Sequence, residues 1–125
     1  MLAGNNYKLE KTCNITSVEP GALRGIDLIN LECEDLKVGV DMISSINVFS
    51  PGEKVKLVIA KSKPEFGERD FCGHGYVVTE KRQPNKYVTL ISIFGPLIRI
   101  ESENSFLSSN NLSVMDHVYV CLLKS

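Results

Sequence analysis

Apolar residues in this chain recur at every second position over short stretches, the period of strands rather than helices. Leu9, Cys13 and Ile15, with Tyr7 ahead of them, alternate with Lys8, Glu10, Thr12, Asn14 and Thr16, which predicts a half-buried first strand ended by Glu19-Pro20-Gly21. A second strand is expected from Ile26 to Glu34. Its phase slips, with Ile26 and Leu28 on one face and Ile29, Leu31 and Cys33 on the other, the pattern of a bulge. After a Glu34-Asp35 turn, Leu36, Val38, Val40 and Met42 alternate with Lys37, Gly39 and Asp41, completing a hairpin. Ile46-Asn47-Val48-Phe49 reads as a short strand closed by a Ser50-Pro51-Gly52 turn, and residues 53–61 as a strand with Val55, Leu57 and Ile59 inward.

Ser62 to Asp70 holds Pro64, Gly67 and five charged residues and is expected to be an exposed loop. Phe71 to Lys81 resumes a strand in which Gly73 and Gly75 allow close backbone approach or a bend. Arg82-Gln83-Pro84-Asn85 turns the chain into its longest apolar run, Lys86 to Glu101, which is apolar on both faces as expected for a strand inside a barrel wall. Gly95-Pro96 removes a ladder donor there, so a bulge or sharp bend is predicted, with the strand continuing from Leu97 to Glu101. Ser102 to Asp116 is a Ser- and Asn-rich loop with one short helical turn, and His117 to Lys124 closes the chain as another two-sided apolar strand. The pattern describes one all-β domain over residues 1–125, a small antiparallel Greek-key barrel of OB type with about eight strands and little or no helix.

Composition narrows the function. The net charge of −1 argues against a large positive field for nucleic acid, although residues 54–86 carry eight basic and four acidic side chains against four and eight in residues 1–53. Met1 to Asn6 is polar, and no apolar run approaches the roughly 20 residues that span a bilayer, so a cytoplasmic protein without membrane contact is expected. Asn14-Ile15-Thr16 and Asn111-Leu112-Ser113 match the glycosylation pattern only by chance in such a protein. Cys13, Cys33, Cys72 and Cys121 form no C-x-x-C pair and read as small buried apolar residues, with a structural disulfide as the alternative in a hyperthermophile. Cys72-Gly73-His74 is the nearest approach to a zinc half-site, and one pair is too few. Neither a metal nor a cofactor is expected.

Candidate chemistry is sparse. His74 and His117 lie in apolar strand context, Asp41 and Asp116 are single carboxylates, and no glycine-rich loop precedes a helix. An active site would require folding to bring Asp41, His74 or His117 together.

The order of segments carries a resemblance. Asn30-Leu31-Glu32-Cys33-Glu34, Val40-Asp41-Met42, and Asn47-Val48-Phe49 leading into Gly52 to Ala60 are similar to the shared eighth subunit of nuclear RNA polymerases, and more so to its archaeal counterpart, the polymerase G subunit. The similarity continues through Gly75-Tyr76-Val77-Val78, Gly95-Pro96-Leu97-Ile98-Arg99-Ile100, and Asn110-Asn111-Leu112 with Asp116-His117-Val118-Tyr119-Val120. The chain departs from the eukaryotic form in having Gly95-Pro96 where that form has two glycines. It also lacks the longer acidic insertion near Ser62 to Asp70, as the archaeal form does. The resemblance implies a non-catalytic, peripheral polymerase subunit of structural or assembly role, docked chiefly on the largest subunit. Any nucleic-acid contact would be indirect, through the complex, and no homo-oligomer is implied.

If a docking surface exists, the bend is the first place to look: Gly95, Leu97, Ile98 and Arg99, because a bulge at a barrel rim exposes side chains and backbone together. Leu97 and Ile98 completing the core on alternate faces is the competing reading. A different class of function is a free-standing OB-type binder of single-stranded nucleic acid, using the basic middle third with Tyr76 or Tyr87 as stacking platforms.

Overall fold

A computed structural model describes residues 8–124; Tyr7 and the polar Met1 to Asn6 segment lie outside the described residues. The strands are β1 (Lys8–Pro20), β2 (Ile26–Cys33), β3 (Leu36–Ile43), β4 (Lys54–Ala60), β5 (Phe71–Gln83), β6 (Lys86–Ser92), β7 (Leu97–Ser102) and β8 (His117–Lys124). They close into an antiparallel barrel in the order β1-β2-β3-β7-β6-β5-β8-β4, as expected from the period-two pattern. Helix α1 (Phe106–Ser109) and a 3-10 turn (Ser44–Ile46) are the only helical elements among the described residues.

The ring contains two Greek keys. Strands β4-β1-β2-β3 and β8-β5-β6-β7 each follow the spatial order 4-1-2-3, and the two meet through the β3–β7 and β4–β8 ladders. Each key must return its chain from its third strand to its fourth across an open end of the barrel, and each return supplies a plug. Residues 44–53 bring the buried Phe49 over one end. Residues 103–116 bring Phe106, Leu107 and Leu112 over the other. The inward residues of every strand fill the space between, Ile15, Ile29, Val40, Leu57, Val77, Ile91, Ile98 and Val120 among them.

Polar side chains pin both plugs. Lys124 Nζ donates to the Val48 carbonyl at 2.6 Å, pairs with Glu53 at 3.0 Å and lies 5.1 Å from the centre of the Phe49 ring. At the opposite end the Glu80 carboxylate accepts from Ser105 Oγ (2.5 Å), Thr89 Oγ1 (2.8 Å) and the Leu107 N–H (3.1 Å), fastening α1 to β5 and β6. Burial alone would raise the Glu80 carboxyl; these hydrogen bonds, with a further one from the Phe106 N–H, outweigh it and hold the group below the usual carboxylate range.

Four expectations need correction. The phase slip in β2 is not a bulge, since β2 runs in unbroken register with β3; its outer residues Ile26 and Leu28 are simply half-covered as well. The bulges lie in the long strands β1, between Ile15 and Ser17, and β5, between Val77 and Thr79. Residues 46–49 form no strand, because after the 3-10 turn this stretch serves as the barrel-end return. The central run is not one bent strand but a hairpin: β6 and β7 pair antiparallel, and Ile93 donates to the Pro96 carbonyl at 2.9 Å. Phe94 and Gly95 occupy its tip with φ of 61° and 121°, the two positive values of a tight hairpin turn.

The fourth correction concerns the cysteines. All four are joined, Cys13 to Cys33 across β1–β2 and Cys72 to Cys121 across β5–β8, each pair directly opposite in register. Cys13 faces the core. Cys72 and Cys121 form a small apolar cluster with Val58, Ala60 and Leu123 on the outside of the barrel. Because β4 and β5 run parallel on either side of β8, residues 61–70 must cross over β8 to connect them, and this cluster lies on that route.

Candidate partner-docking surface

Alternation along β7 decides which of the expected docking residues face outward. Leu97 is 40% exposed, Ile98 is fully buried, and Arg99 is exposed again. Ile98 therefore belongs to the core, paired with Val40 on β3 and Ile91 on β6, and is corrected as a docking candidate. Gly95 sits at the hairpin tip beside Phe94, which is 68% exposed and which the sequence reasoning passed over. The start of β7 is held by Asp41, whose carboxylate accepts the Leu97 N–H at 3.2 Å.

The hairpin stands between two features of the outer wall. On one side, Leu97 and Arg99 line a shallow groove with Leu28, Asn30 and Leu90, floored by Gly39. Gly39 lies directly opposite Asn30 on β2 and Arg99 on β7, so its missing side chain creates the notch. Arg99 Nε donates to Glu101 at 3.2 Å, and Lys86 Nζ reaches the same carboxylate at 3.0 Å. The Lys86 hydrogen bond, opposed in part by burial and joined by that of Arg99, holds Glu101 below the usual carboxylate range.

On the other side, Phe94 meets an aromatic cluster on the outward face of β5 and β8. Its ring centre lies 5.1 Å from that of His74 and 6.4 Å from that of Tyr76. Tyr76 is 5.2 Å from His117, and His117 is 5.3 Å from Tyr119. The two histidines are brought together, Nδ1 of His74 lying 3.1 Å from Nε2 of His117. Asp41 is not brought to them, since it is occupied at the start of β7. Asp116 accepts from the Ser113 N–H at 2.9 Å and pairs with Lys61 at 3.4 Å. Tyr76 and Tyr87 sit at opposite ends of the β5–β6 ladder, opposite Ser92 and Arg82 respectively, and do not form one platform. Lysines of the basic middle third are interleaved with carboxylates, as in Lys56–Glu10, Lys61–Asp116 and Lys86–Glu101.

A DNA-directed RNA polymerase subunit Rpo8 of Saccharolobus solfataricus is 45% identical over 120 residues, covering 91% of each chain. One of the same name from Sulfolobus acidocaldarius is 37% identical over 118 residues, covering 93% of this chain and 98% of its own. Among solved structures, the cytoplasmic molybdate-binding protein ModG superposes over 93% of this chain and 89% of its own at a TM-score of 0.36 and 12% identity, a likeness too distant to bear on this protein. The family of DNA-directed RNA polymerase G subunits matches residues 8–125, and the chain belongs to that family.

Proposed function

We propose that this chain is a non-catalytic, peripheral subunit of an archaeal DNA-dependent RNA polymerase, held to the largest subunit by the outer wall around the β6–β7 hairpin. The observation that carries the reading is family membership over almost the whole chain, together with relatives that bear the name of a polymerase subunit. As a polymerase subunit it associates with other subunits of that complex, and the catalytic assembly is the complex.

A structural role within it is supported by where the chain spends its acids. Asp41 anchors β7, Asp116 the β8 approach and Glu80 the helix plug. Each of these carboxylates is committed to holding a strand or a turn rather than left open to a reaction. The docking proposal rests on Phe94 and Leu97, large apolar side chains left in water on either side of Gly95, with Arg99 beside them at the groove. Among the described residues no helix is long and apolar enough to cross a membrane, and we assign the complex to the cytoplasm.

The test is a tagged pull-down from native extract at about 0.3 M salt, where ionic contacts to nucleic acid are screened and an apolar surface persists. Recovery of the large polymerase subunits in near-equal ratio is expected. Recovery of this chain alone would overturn the reading, and an oligonucleotide titration showing salt-dependent binding would then favour the free-standing nucleic-acid binder.

A further inference from the structure

We propose that His74 and His117 form a two-imidazole site for a divalent transition-metal ion, with Cu²⁺ preferred over Ni²⁺ and Zn²⁺. His74 lies opposite Tyr119, and His117 opposite Tyr76, so the two histidines are diagonal neighbours on the outward face of the β5–β8 ladder. Their facing nitrogens are 3.1 Å apart. Two imidazole nitrogens bound to one ion at about 2.0–2.1 Å lie about 2.9 Å apart at a right angle and about 3.4 Å apart at a tetrahedral one, so the observed separation falls inside the coordinating range. Imidazole suits copper, nickel and zinc, and the order of affinity follows from the general trend along that series.

The backbone under the pair is fixed. The Cys72–Cys121 disulfide is the next same-face pair of the ladder, and the rings are hemmed by Phe94, Tyr76 and Tyr119. The histidines are not enclosed, so an ion and its remaining water ligands can reach them. In the neutral pair one facing nitrogen carries the hydrogen that bonds the other. On coordination that hydrogen moves through solvent to the far nitrogen of the same ring, both facing lone pairs turn to the ion, and no net proton is released.

The test uses the full, tag-free chain titrated with CuCl₂, NiCl₂ and ZnCl₂ in a non-coordinating buffer near neutral pH. One ion per chain is expected, tightest for copper, with a Cu²⁺ paramagnetic resonance spectrum carrying coupling from two imidazole nitrogens. His74→Ala and His117→Ala should each weaken copper binding more than about tenfold and leave coupling from at most one imidazole, with circular dichroism unchanged. A wild-type spectrum without two-imidazole coupling would overturn the proposal whatever the variants do. So would copper affinity that neither substitution alters.

Discussion

Gly75 lies directly beneath the Ser92 carbonyl: a β-carbon on Gly75 would overlap that oxygen and come within 2.8 Å of Ile93 Cα. This close approach lets the β6–β7 hairpin fold down onto β5 and seat Ile93 over the glycine pair. The obstacle is backbone on both sides, so it cannot rotate away. Gly75→Ala should therefore destabilise the barrel by more than about 3 kcal/mol. Gly73 is the control, because a β-carbon there meets only side-chain atoms of Phe71 and Ile93 at 3.2–3.3 Å, which can shift. Gly73→Ala should cost about 1 kcal/mol or less in urea unfolding. Equal losses for the two variants would contradict the proposed difference.

Glu80 makes the stability of the α1 plug depend on pH. Its folded carboxyl is held below the usual range by Ser105, Leu107, Thr89 and Phe106, after burial has opposed them. A depressed folded pKa contributes stability that is present above the unfolded value and lost as pH falls through the folded one. Glu80→Gln should lower stability at pH 7 by about 1–3 kcal/mol, and the wild-type and variant curves should converge as the pH is lowered past the ordinary glutamate range. Urea midpoints measured from pH 7 to pH 3 test this; parallel curves would remove Glu80 as the source of the acid sensitivity.

Much of the barrel was legible in the chain because each strand buries one alternating set of residues. The glycine pair at 73 and 75 was readable for the same reason, since a strand interior tolerates glycine mainly where something approaches closely. The turn at Phe94-Gly95 was harder. Pro96 signals a break, but a bulge and a hairpin both satisfy it, and only the pairing of Ser92 with Leu97 distinguishes them. That error hid Phe94 as a tip residue. The His74–His117 meeting could not be read at all, because the two strands are adjacent only through the second Greek key.

The disulfides divide in the same way. Cys13 and Cys33 lie on the two arms of one hairpin, a nearness readable in the chain, although the bulge between Ile15 and Ser17 is what sets them directly opposite, whereas Cys72 and Cys121 are joined by long-range topology. The two covalent loops, of sequence separation 20 and 49, do not overlap, so their effects should add. Loop-closure entropy gives about 3 and about 4 kcal/mol respectively as the stabilisation expected from each. Thiol titration in denaturant should find no free thiols before reduction and four after it. Paired Cys→Ala substitutions should lower stability in that order, the 72–121 pair more. Free thiols in the unreduced protein would refute the paired state.

The opposite fates of Leu97 and Ile98 separate docking from folding. Phe94→Asn keeps a residue that tolerates positive φ and suits a turn followed by glycine, and Leu97→Ser removes an apolar side chain from an exposed position. The double variant should unfold within about 1 kcal/mol of wild type yet lose most of its recovery with the large polymerase subunits. Ile98→Ala removes a fully buried side chain and should cost about 2–5 kcal/mol while retaining association at temperatures where the barrel stays folded. If association instead follows stability across the two variants, the hairpin tip is not the contact. A stable Phe94→Asn/Leu97→Ser chain that still enters the complex at wild-type ratio would direct the search to the opposite wall of the barrel.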